Sequence, residues 1–439
     1  MLQFIMVLRV LVAVITVPTG TINLEQIDMT DGEWVAPGYE VVTKLDFDPL
    51  EYVDNVQAAQ AFFMDTEEGE KLRIILVGDN RVLVFDEPWD NPMEYSVESP
   101  WEVYLVTMSR NGKYIALCVV KDSLVVPTIG FGPEITERIW WGHRLEITDE
   151  GIKSEPFNPR PGNLNYMRYM SDDGRIAASN SRGVISLYPR EDTEEFLSRP
   201  ACNDMWRRRA CSYDSSIITL GNLPNDNGQR VIECYDWSGN FLWETPIGDR
   251  NLTSLRISPS GEYVLAPARN GGVVCYSGQD GSELWSTCEG LMCDFPQISP
   301  DGMFWVMSPD AFGHCYFYNG TLDDTDNSGL ISVSEIISNS AGNPVCLSVN
   351  NSGYTLLWIQ DKDNSHRVTL VYIDPNNDIV WKYNPINTGS SNQEFCFPAH
   401  MFNTTPYFGQ TIAAISQDGS WICYTDYHSI KVLLFRDVD

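Results

Sequence analysis

Basic residues are scarce in this chain. Its 439 residues include 29 Lys and Arg, of which only eight are Lys, against 60 Asp and Glu, so the formal net charge is −31. This charge argues against nucleic acid and anionic membrane surfaces as partners. An acid-rich, Lys-poor surface suits high salt, where screening weakens the repulsion between carboxylates. Both a halophilic source and an ordinary acidic protein fit this composition.

The sequence also lacks the short motifs of common catalytic chemistry. It has no P-loop, dinucleotide fingerprint, G-x-S-x-G elbow or H-E-x-x-H pair. The five histidines are dispersed without a companion nucleophile, and the eleven cysteines include no C-x-x-C spacing and no adjacent pair. The sequence therefore predicts no catalytic residue and no cofactor-binding residue.

Long apolar runs are absent except at the N-terminus, where Phe4 to Val17 reads FIMVLRVLVAVITV. This run is short for a membrane span and contains Arg9. It fits a signal peptide if Met6 is the start, and its β-branched residues fit a strand that docks on the rest of the protein. We therefore divide the chain into residues 1–38, a docking segment or signal, and residues 39–439, a single repeat domain.

One unit is repeated along that domain. Eight times between Glu67 and Ser420, a short apolar run, a polar turn, a second apolar run and an aromatic-rich run follow one another. The turns lie at 67–69, 110–112, 172–174, 213–215, 259–261, 300–302, 351–353 and 417–419. From Gly69 to Gly419 is 350 residues over seven intervals, a mean period of 50.

Such a period, made of short strands and Gly/Asp/Asn turns, is typical of β-propeller blades. The sequence therefore predicts an all-β protein with a single closed β-propeller of eight four-stranded blades, with seven blades as the alternative. The chain ends after the third strand of the last blade. We expect an N-terminal strand, most simply Tyr39 to Leu45, to complete that blade beside Lys431 to Arg436 and to remove the open sheet edge.

A narrower repeat of 13 residues recurs in three units. It covers Val231 to Trp243, Val273 to Trp285 and Thr369 to Trp381, and in each an aromatic residue precedes a polar turn and a closing aliphatic-Trp pair. This pattern resembles the repeat of the quinoprotein-like (PQQ-like) propeller superfamily, and the whole chain also resembles WD-repeat propellers. The resemblance implies that each closing Trp docks against the next blade. The superfamily holds both dehydrogenases and non-catalytic scaffolds, so it does not imply an activity.

Residues 324–335 match a 12-residue EF-hand calcium loop at every position. The six residues predicted to hold the metal supply carboxylate, hydroxyl and carbonyl oxygens, the ligands that Ca²⁺ prefers; they are Asp324, Asp326, Ser328, Leu330, Ser332 and Glu335. No entering helix is expected, because residues 315–318 are predicted to form a strand, and residues 333–338 allow at most a short exiting helix. A solvated acidic hairpin tip is the alternative.

Most cysteines are expected to be buried thiols rather than ligands. Cys118, Cys234, Cys275, Cys315, Cys346 and Cys423 fall within predicted strands, where a free cysteine usually acts as a small apolar side chain. Two pairs near blade boundaries, Cys202 with Cys211 and Cys288 with Cys293, are candidate disulfides. Four N-x-S/T sequons, at Asn251, Asn319, Asn350 and Asn403, are compatible with an exposed surface protein.

These features favour a non-catalytic, calcium-stabilised propeller that binds a protein partner or assembly neighbours at a cell or virion surface. Two long insertions, from Thr128 to Arg138 and from Asn387 to Tyr407, carry aromatic residues and are the predicted contact loops. An intracellular WD-repeat-like scaffold and a quinone-dependent dehydrogenase are the alternatives. The partner and the oligomeric state are not determined by the sequence.

Overall fold

The computed structural model shows a protein built from β-strands. It describes residues 20–23, 32–48, 51–54, 56–66, 69–87, 89, 91–122, 138–157, 166–179, 185–188, 209–212, 214, 216–224, 227–268, 272–287, 296–307, 310–311, 314–323, 332–337, 341–361, 368–384, 413–426 and 429–438. These ranges contain 34 strands and no α-helix. Within them, no helix is long and apolar enough to cross a membrane.

Three strands come from the N-terminal segment, and the first three sheets follow. The N-terminal strands are β1 (Gly20–Asn23), β2 (Gly32–Val35) and β3 (Tyr39–Phe47). Sheet 1 contains β4 (Val56–Thr66), β5 (Gly69–Gly78), β6 (Arg81–Asp86) and β7 (Met93–Ser96). Sheet 2 contains β8 (Glu102–Met108), β9 (Tyr114–Asp122), β10 (Arg138–Thr148) and β11 (Gly151–Phe157). Sheet 3 contains β12 (Tyr166–Met170), β13 (Ile176–Ser179) and β14 (Ile185–Tyr188).

Sheets 4 to 6 continue the same order along the chain. Sheet 4 contains β15 (Arg209–Cys211), β16 (Ile217–Pro224), β17 (Arg230–Asp236) and β18 (Phe241–Pro246). Sheet 5 contains β19 (Arg256–Ile257), β20 (Tyr263–Ala268), β21 (Gly272–Ser277) and β22 (Glu283–Thr287). Sheet 6 contains β23 (Gln297–Ile298), β24 (Phe304–Met307), β25 (Asp310–Ala311), β26 (His314–Thr321) and β27 (Ser332–Ile337).

Sheets 7 and 8 complete the series. Sheet 7 contains β28 (Ala341–Val349), β29 (Thr355–Asp361), β30 (Val368–Ile373) and β31 (Ile379–Asn384). Sheet 8 contains β32 (Ala413–Ile415), β33 (Trp421–Asp426) and β34 (Ser429–Asp437). Consecutive strands of each repeat pair antiparallel, as hairpins joined by short turns must.

The N-terminal strands extend the outer edges of the last three sheets. Strand β1 pairs with β27 in parallel, β2 pairs with β31 antiparallel, and β3 pairs with β34 antiparallel, with Glu40 opposite Arg436. The last pairing is the one predicted for Tyr39 to Leu45, so residues before position 50 do supply the fourth strand of sheet 8. The pairings of β1 and β2 were not predicted.

The hydrophobic core lies between neighbouring sheets rather than within one. Separate buried clusters join sheet 1 to 2, 4 to 5, 5 to 6, 6 to 7, 7 to 8 and 8 back to 1. Central strands are therefore buried on both faces, and Ile74 to Val77 in β5 are fully inaccessible. This explains why these strands read as continuous apolar runs instead of alternating ones. The β-propeller fold is shown, while the count of eight blades and complete ring closure stay predictions.

The closing Trp of each 13-residue repeat contacts the following sheet, as the resemblance implied. Trp243 Nε1 donates to the carbonyl of Gly278 at 2.8 Å, and Trp285 Nε1 donates to the carbonyl of Leu322 at 3.1 Å. The Trp381 ring lies 5.4 Å from that of Tyr424 in sheet 8. These contacts link successive sheets through side chains that the repeat places at one fixed position.

Candidate functional site

In most of the sheets, a buried serine hydroxyl accepts a hydrogen bond across the turn between the first and second strands. Six serines accept the backbone N–H of a residue four or five positions later, at 2.9–3.0 Å. They are almost completely buried, and they are Ser109, Ser171, Ser212, Ser258, Ser299 and Ser416. In sheet 7, Asn350 Oδ1 takes the same place and accepts from Tyr354 at 2.9 Å. The side chain thus satisfies a buried donor that the tight turn leaves unpaired.

These serines were not predicted from the sequence, although a signal was present. Five of them stand three residues before the turn glycine, as in Ser109–Gly112 and Ser299–Gly302, and the repeated pattern is S-x-x-G. The glycine and the polar residue before it were predicted to form the turn because turn geometry requires such residues. The serine before the turn can be recognised as a repeated feature only when several units are aligned.

Hydrogen bonds join these turns from one sheet to the next. Between sheets 2 and 3, Asn111 N and Asn111 Nδ2 donate to Asp172 Oδ1 and to the carbonyl of Asp172, both at 2.9 Å. Between sheets 7 and 8, Asn350 Nδ2 donates to the carbonyl of Ser416 at 2.7 Å. Between sheets 8 and 1, Gln417 N lies 3.1 Å from Glu70 Oε2. We call the face that carries these turns the turn face.

Further bonds on the turn face connect other neighbouring sheets. Arg73 Nη1 donates to the carbonyl of Gly112 at 3.2 Å, and Asp214 N donates to the carbonyl of Pro259 at 3.1 Å. Asp301 N donates to Asn351 Oδ1 at 2.9 Å. Burial raises the pKa of the Asp172 carboxyl, and the N–H donor of Asn111 opposes that effect. Hydrogen bonds therefore link the turns of neighbouring sheets to each other across this face.

The two predicted contact loops leave the protein at the opposite face, which we call the loop face. Within an antiparallel sheet, alternate connections lie at opposite ends. The insertion from Thr128 to Arg138 follows the end of β9 at Asp122, and that from Asn387 to Tyr407 follows the end of β31 at Asn384. Both strand ends lie away from the turn face. The loops themselves, except Arg138 at the start of β10, lie outside the described residues.

The predicted calcium loop belongs to the turn face, because it connects β26 to β27. Four predicted ligands, Asp324, Asp326, Ser328 and Leu330, lie outside the described residues. Ser332 and Glu335 lie in β27, opposite Asn319 and Tyr316 of β26, and Glu335 also pairs with Thr21 of β1. The segment after the loop is therefore a strand, not the short helix that the sequence allowed.

The oxygen-rich donor set of the loop still fits Ca²⁺ chemically, and its place at a strand-to-strand turn distinguishes it from a helix-loop-helix site. In the described part of the chain, no three His, Cys, Asp or Glu side chains cluster as a metal site. Calcium binding at these six residues stays a prediction.

A hydroxyl–imidazole cluster joins sheets 1 and 2. The hydroxyl of Tyr95 in β7 lies 3.1 Å from His143 Nδ1 in β10, and Ser154 Oγ in β11 lies 3.2 Å from both groups. Burial lowers the pKa of His143. Both oxygens approach the same imidazole nitrogen, so the cluster has the geometry of a link between sheets and not of a serine activated by a base with an orienting acid.

Five cysteines confirm the expectation of buried thiols. The side chains of Cys118, Cys234, Cys275, Cys346 and Cys423 are almost completely inaccessible. Burial raises the pKa of Cys118, Cys275 and Cys423 well above the ordinary thiol range, which makes them unreactive at neutral pH. The side chains of Cys315 and of the candidate disulfide pairs lie outside the described residues.

Comparison with known proteins supports the fold. No protein-family model matches the chain, and no curated protein is similar to it in sequence. Among solved structures, the C-terminal WD40 domain of Sif2 matches with a TM-score of 0.51 and 12% identity, over 90% of this chain and 98% of that domain. BamB from Moraxella catarrhalis gives a TM-score of 0.49 and 10% identity, over 91% of this chain and 99% of BamB. The match to the WD40 domain confirms the predicted resemblance to propellers as a similarity of fold.

Proposed function

We propose that this protein is a non-catalytic β-propeller that binds a protein partner or assembly neighbours through its loop face. The observation that supports this proposal is the contrast between the two faces. The turn face is fixed by hydrogen bonds between sheets, whereas both long aromatic insertions leave the opposite face. A rigid ring that carries long loops on one side is a common arrangement for recognition.

The loop from Asn387 to Tyr407 is the primary contact element in this proposal. Phe395, Phe397 and Phe402 supply aromatic side chains of the kind that dominate interface energetics. The loop from Thr128 to Arg138 adds Phe131. The net charge of −31 favours a partner with a basic surface.

Site-specific photo-crosslinking tests this function. A crosslinking amino acid placed at position 395 or 402 should capture one defined protein in the native source, and the same group at exposed Ser260 on the turn face should not. Replacement of Phe395, Phe397 and Phe402 by Ala should weaken binding of the captured partner by more than about 2 kcal/mol, which is roughly thirtyfold in affinity. The melting temperature should stay unchanged. Capture from position 260 alone, or unfolding of the triple variant, would contradict the proposal.

Calcium is proposed as a structural ion held by Asp324, Asp326, Ser328, Leu330, Ser332 and Glu335. It would fix the turn between β26 and β27 and stiffen the edge where β1 is added. A cell or virion surface is the proposed location, because millimolar calcium there matches a weak extracellular site. Mass spectrometry of the native protein tests this location through the sequons at Asn251, Asn319 and Asn403. Asn350 is buried and its Nδ2 donates to the carbonyl of Ser416, so it is not accessible to a glycan in the folded protein. Unmodified sequons together with reduced Cys202, Cys211, Cys288 and Cys293 would favour the intracellular scaffold instead.

A further inference from the structure

Three equivalent positions on the outer strands have very different exposure. Leu242, Leu284 and Val380 each precede the closing Trp of the 13-residue repeat, in β18, β22 and β31. The exposed fractions are 44% for Leu242 and 37% for Leu284, but only 2% for Val380. A common repeat position should have a common environment unless something covers it in one sheet.

The N-terminal strand β2 makes this difference. It pairs with β31, with Val35 opposite Trp381, and Ala36 N donates to the carbonyl of Val380 at 2.9 Å. Glu33 accepts a hydrogen bond from Trp381 Nε1 at 2.7 Å. One added strand therefore converts the exposed apolar edge of a repeat into a buried one.

The outer edges of sheets 4 and 5 remain apolar and exposed among the described residues. Phe241 beside Leu242 is 53% exposed. The outer strand of sheet 2 is different, because β11 presents Lys153, Ser154, Glu155 and Pro156, and charged residues and proline protect an edge from pairing. The edges formed by β18 and β22 lack that protection at Phe241, Leu242 and Leu284.

The N-terminal segment follows an ordered path toward these edges. Strands β1, β2 and β3 lie on sheets 6, 7 and 8 in chain order, and the direction reverses at each step. Linkers of eight residues (24–31) and three residues (36–38) are enough to pass from one sheet edge to the next. One step upstream of β1 leads to sheet 5, whose outer strand is β22.

We propose that residues 4–17 of this chain add a strand to the outer edge of sheet 5, antiparallel to β22 and covering Leu284. These residues lie outside the described part of the chain, and their run of Val and Ile is typical of strands. Because β22 has only five residues, part of this run is enough to pair with it, and the rest of the run with residues 18 and 19 connects the added strand to β1. Arg9 would lie near Glu283, a partly exposed carboxylate of β22 that already contacts Arg250 Nη1 at 3.3 Å.

This addition extends the N-terminal strap from three sheets to four. It places a strand beside the outer edge of β22, which ends its sheet among the described strands, and it removes apolar surface from water. It also gives the apolar N-terminal run a place on the folded protein.

The first experiment measures hydrogen exchange in the full chain and in a variant that lacks residues 1–17. Backbone amides of Glu283–Thr287 should exchange at least tenfold faster in the shortened variant. Those of Phe241–Pro246, the matched strand of sheet 4, should not change. Equal exchange of Glu283–Thr287 in both proteins would overturn the proposal.

The second experiment uses Arg9 as a reporter of docking. Brief trypsin digestion of the folded full chain should leave the bond after Arg9 intact, and Leu284→Asp should expose it, with cleavage at least tenfold faster. The matched control Leu242→Asp should leave Arg9 protected. Equal cleavage in the wild type and in Leu284→Asp would overturn the proposal. If Leu284→Asp does not fold, the hydrogen-exchange comparison alone tests the proposal.

Two other occupants of this edge would be recognised by the same measurements. Protection of Glu283–Thr287 that disappears on dilution would assign the strand to a second copy of the chain. Protection that persists without residues 1–17 would assign it to another segment or to a bound protein. Either result overturns docking within one chain.

Discussion

Trp285 and Trp305 stack across the junction between sheets 5 and 6, with ring centroids 5.8 Å apart and ring planes inclined by 23°. Both rings are buried, and Trp285 Nε1 also donates to the carbonyl of Leu322. Trp285 closes one repeat and Trp305 belongs to the next, so a side chain at a fixed repeat position joins two sheets that share no strand. Stability of the propeller is expected to depend on such junctions.

Replacement of Trp285 tests this dependence. Trp285→Ala should lower the free energy of unfolding by about 3–5 kcal/mol because it leaves a large cavity. Trp285→Phe retains a ring but leaves the Leu322 carbonyl without its donor, at a cost of about 1–3 kcal/mol. Urea denaturation measures both. The control Val438→Ala, at a position that is 55% exposed, should change stability by less than about 0.5 kcal/mol, and equal losses in all three variants would contradict the role of the junction.

The buried turn serines should contribute measurably to stability. Ser299 Oγ accepts from the backbone N–H of Phe304 at 2.9 Å and donates to Asp301. Ser299→Ala leaves a buried N–H unpaired and should cost about 1–3 kcal/mol. Ser260, in the exposed part of the neighbouring turn, is the matched control, and Ser260→Ala should be nearly neutral. Thermal melting compares the two, and similar small effects would show that the buried hydroxyl is dispensable.

Calcium should stabilise the fold through residues 324–335. An ion that binds only the native state adds RT ln(1 + [L]/Kd), about 2.7 kcal/mol at one hundred times Kd. The melting temperature should rise with Ca²⁺ and fall with a chelator, and Glu335→Gln should abolish the difference. Asp323→Asn, one residue outside the loop, should retain it. If calcium does not change the wild-type melting curve, residues 324–335 are an acidic hairpin turn and not a calcium site.

Two N-terminal deletions should separate completion of sheet 8 from burial of Val380. Loss of residues 1–50 removes β3 and leaves the edge of β34 open, so this variant should aggregate or dimerise. Loss of residues 1–38 retains β3 but removes β1 and β2, so that sheets 6 and 7 end in their fourth strands, as sheets 4 and 5 do. That variant should stay monomeric with a lower melting temperature. Light scattering distinguishes these outcomes, and a well-behaved monomer without residues 1–50 would refute the need for β3.

Protonation of His143 should weaken the link between sheets 1 and 2. Burial holds the pKa of His143 in the folded protein below its ordinary value of 6.5. Folding therefore favours the neutral imidazole. The stability that this neutral form contributes is fully present above about pH 6.5, and it is lost as the pH falls toward the pKa of His143 in the folded protein. Between about pH 7.5 and about pH 5.5, the wild type should lose more stability than His143→Asn, as measured by urea denaturation. Parallel losses in the two proteins would exclude this contribution.

Local sequence determined the repeat and its strands. The turns that end at Gly261, Gly302 and Gly419 predict hairpins, because only a few residue types adopt the positive φ that such turns need. The apolar runs between the turns are long enough only for strands. The Trp at the end of each 13-residue repeat likewise followed from spacing. These features depend on neighbours within one unit, so one unit is enough to predict them.

Tertiary structure decided which edges are covered and which residues meet. Leu284 and Val380 occupy the same repeat position, yet only Val380 is buried, because β2 reaches it from more than 340 positions away in sequence. The link of Tyr95 to His143 and the strand environment of Glu335 also depend on contacts between units or with the N-terminus. Such contacts leave no periodic signal, since the energy that selects them comes from burial between packed sheets and not from local conformational preference.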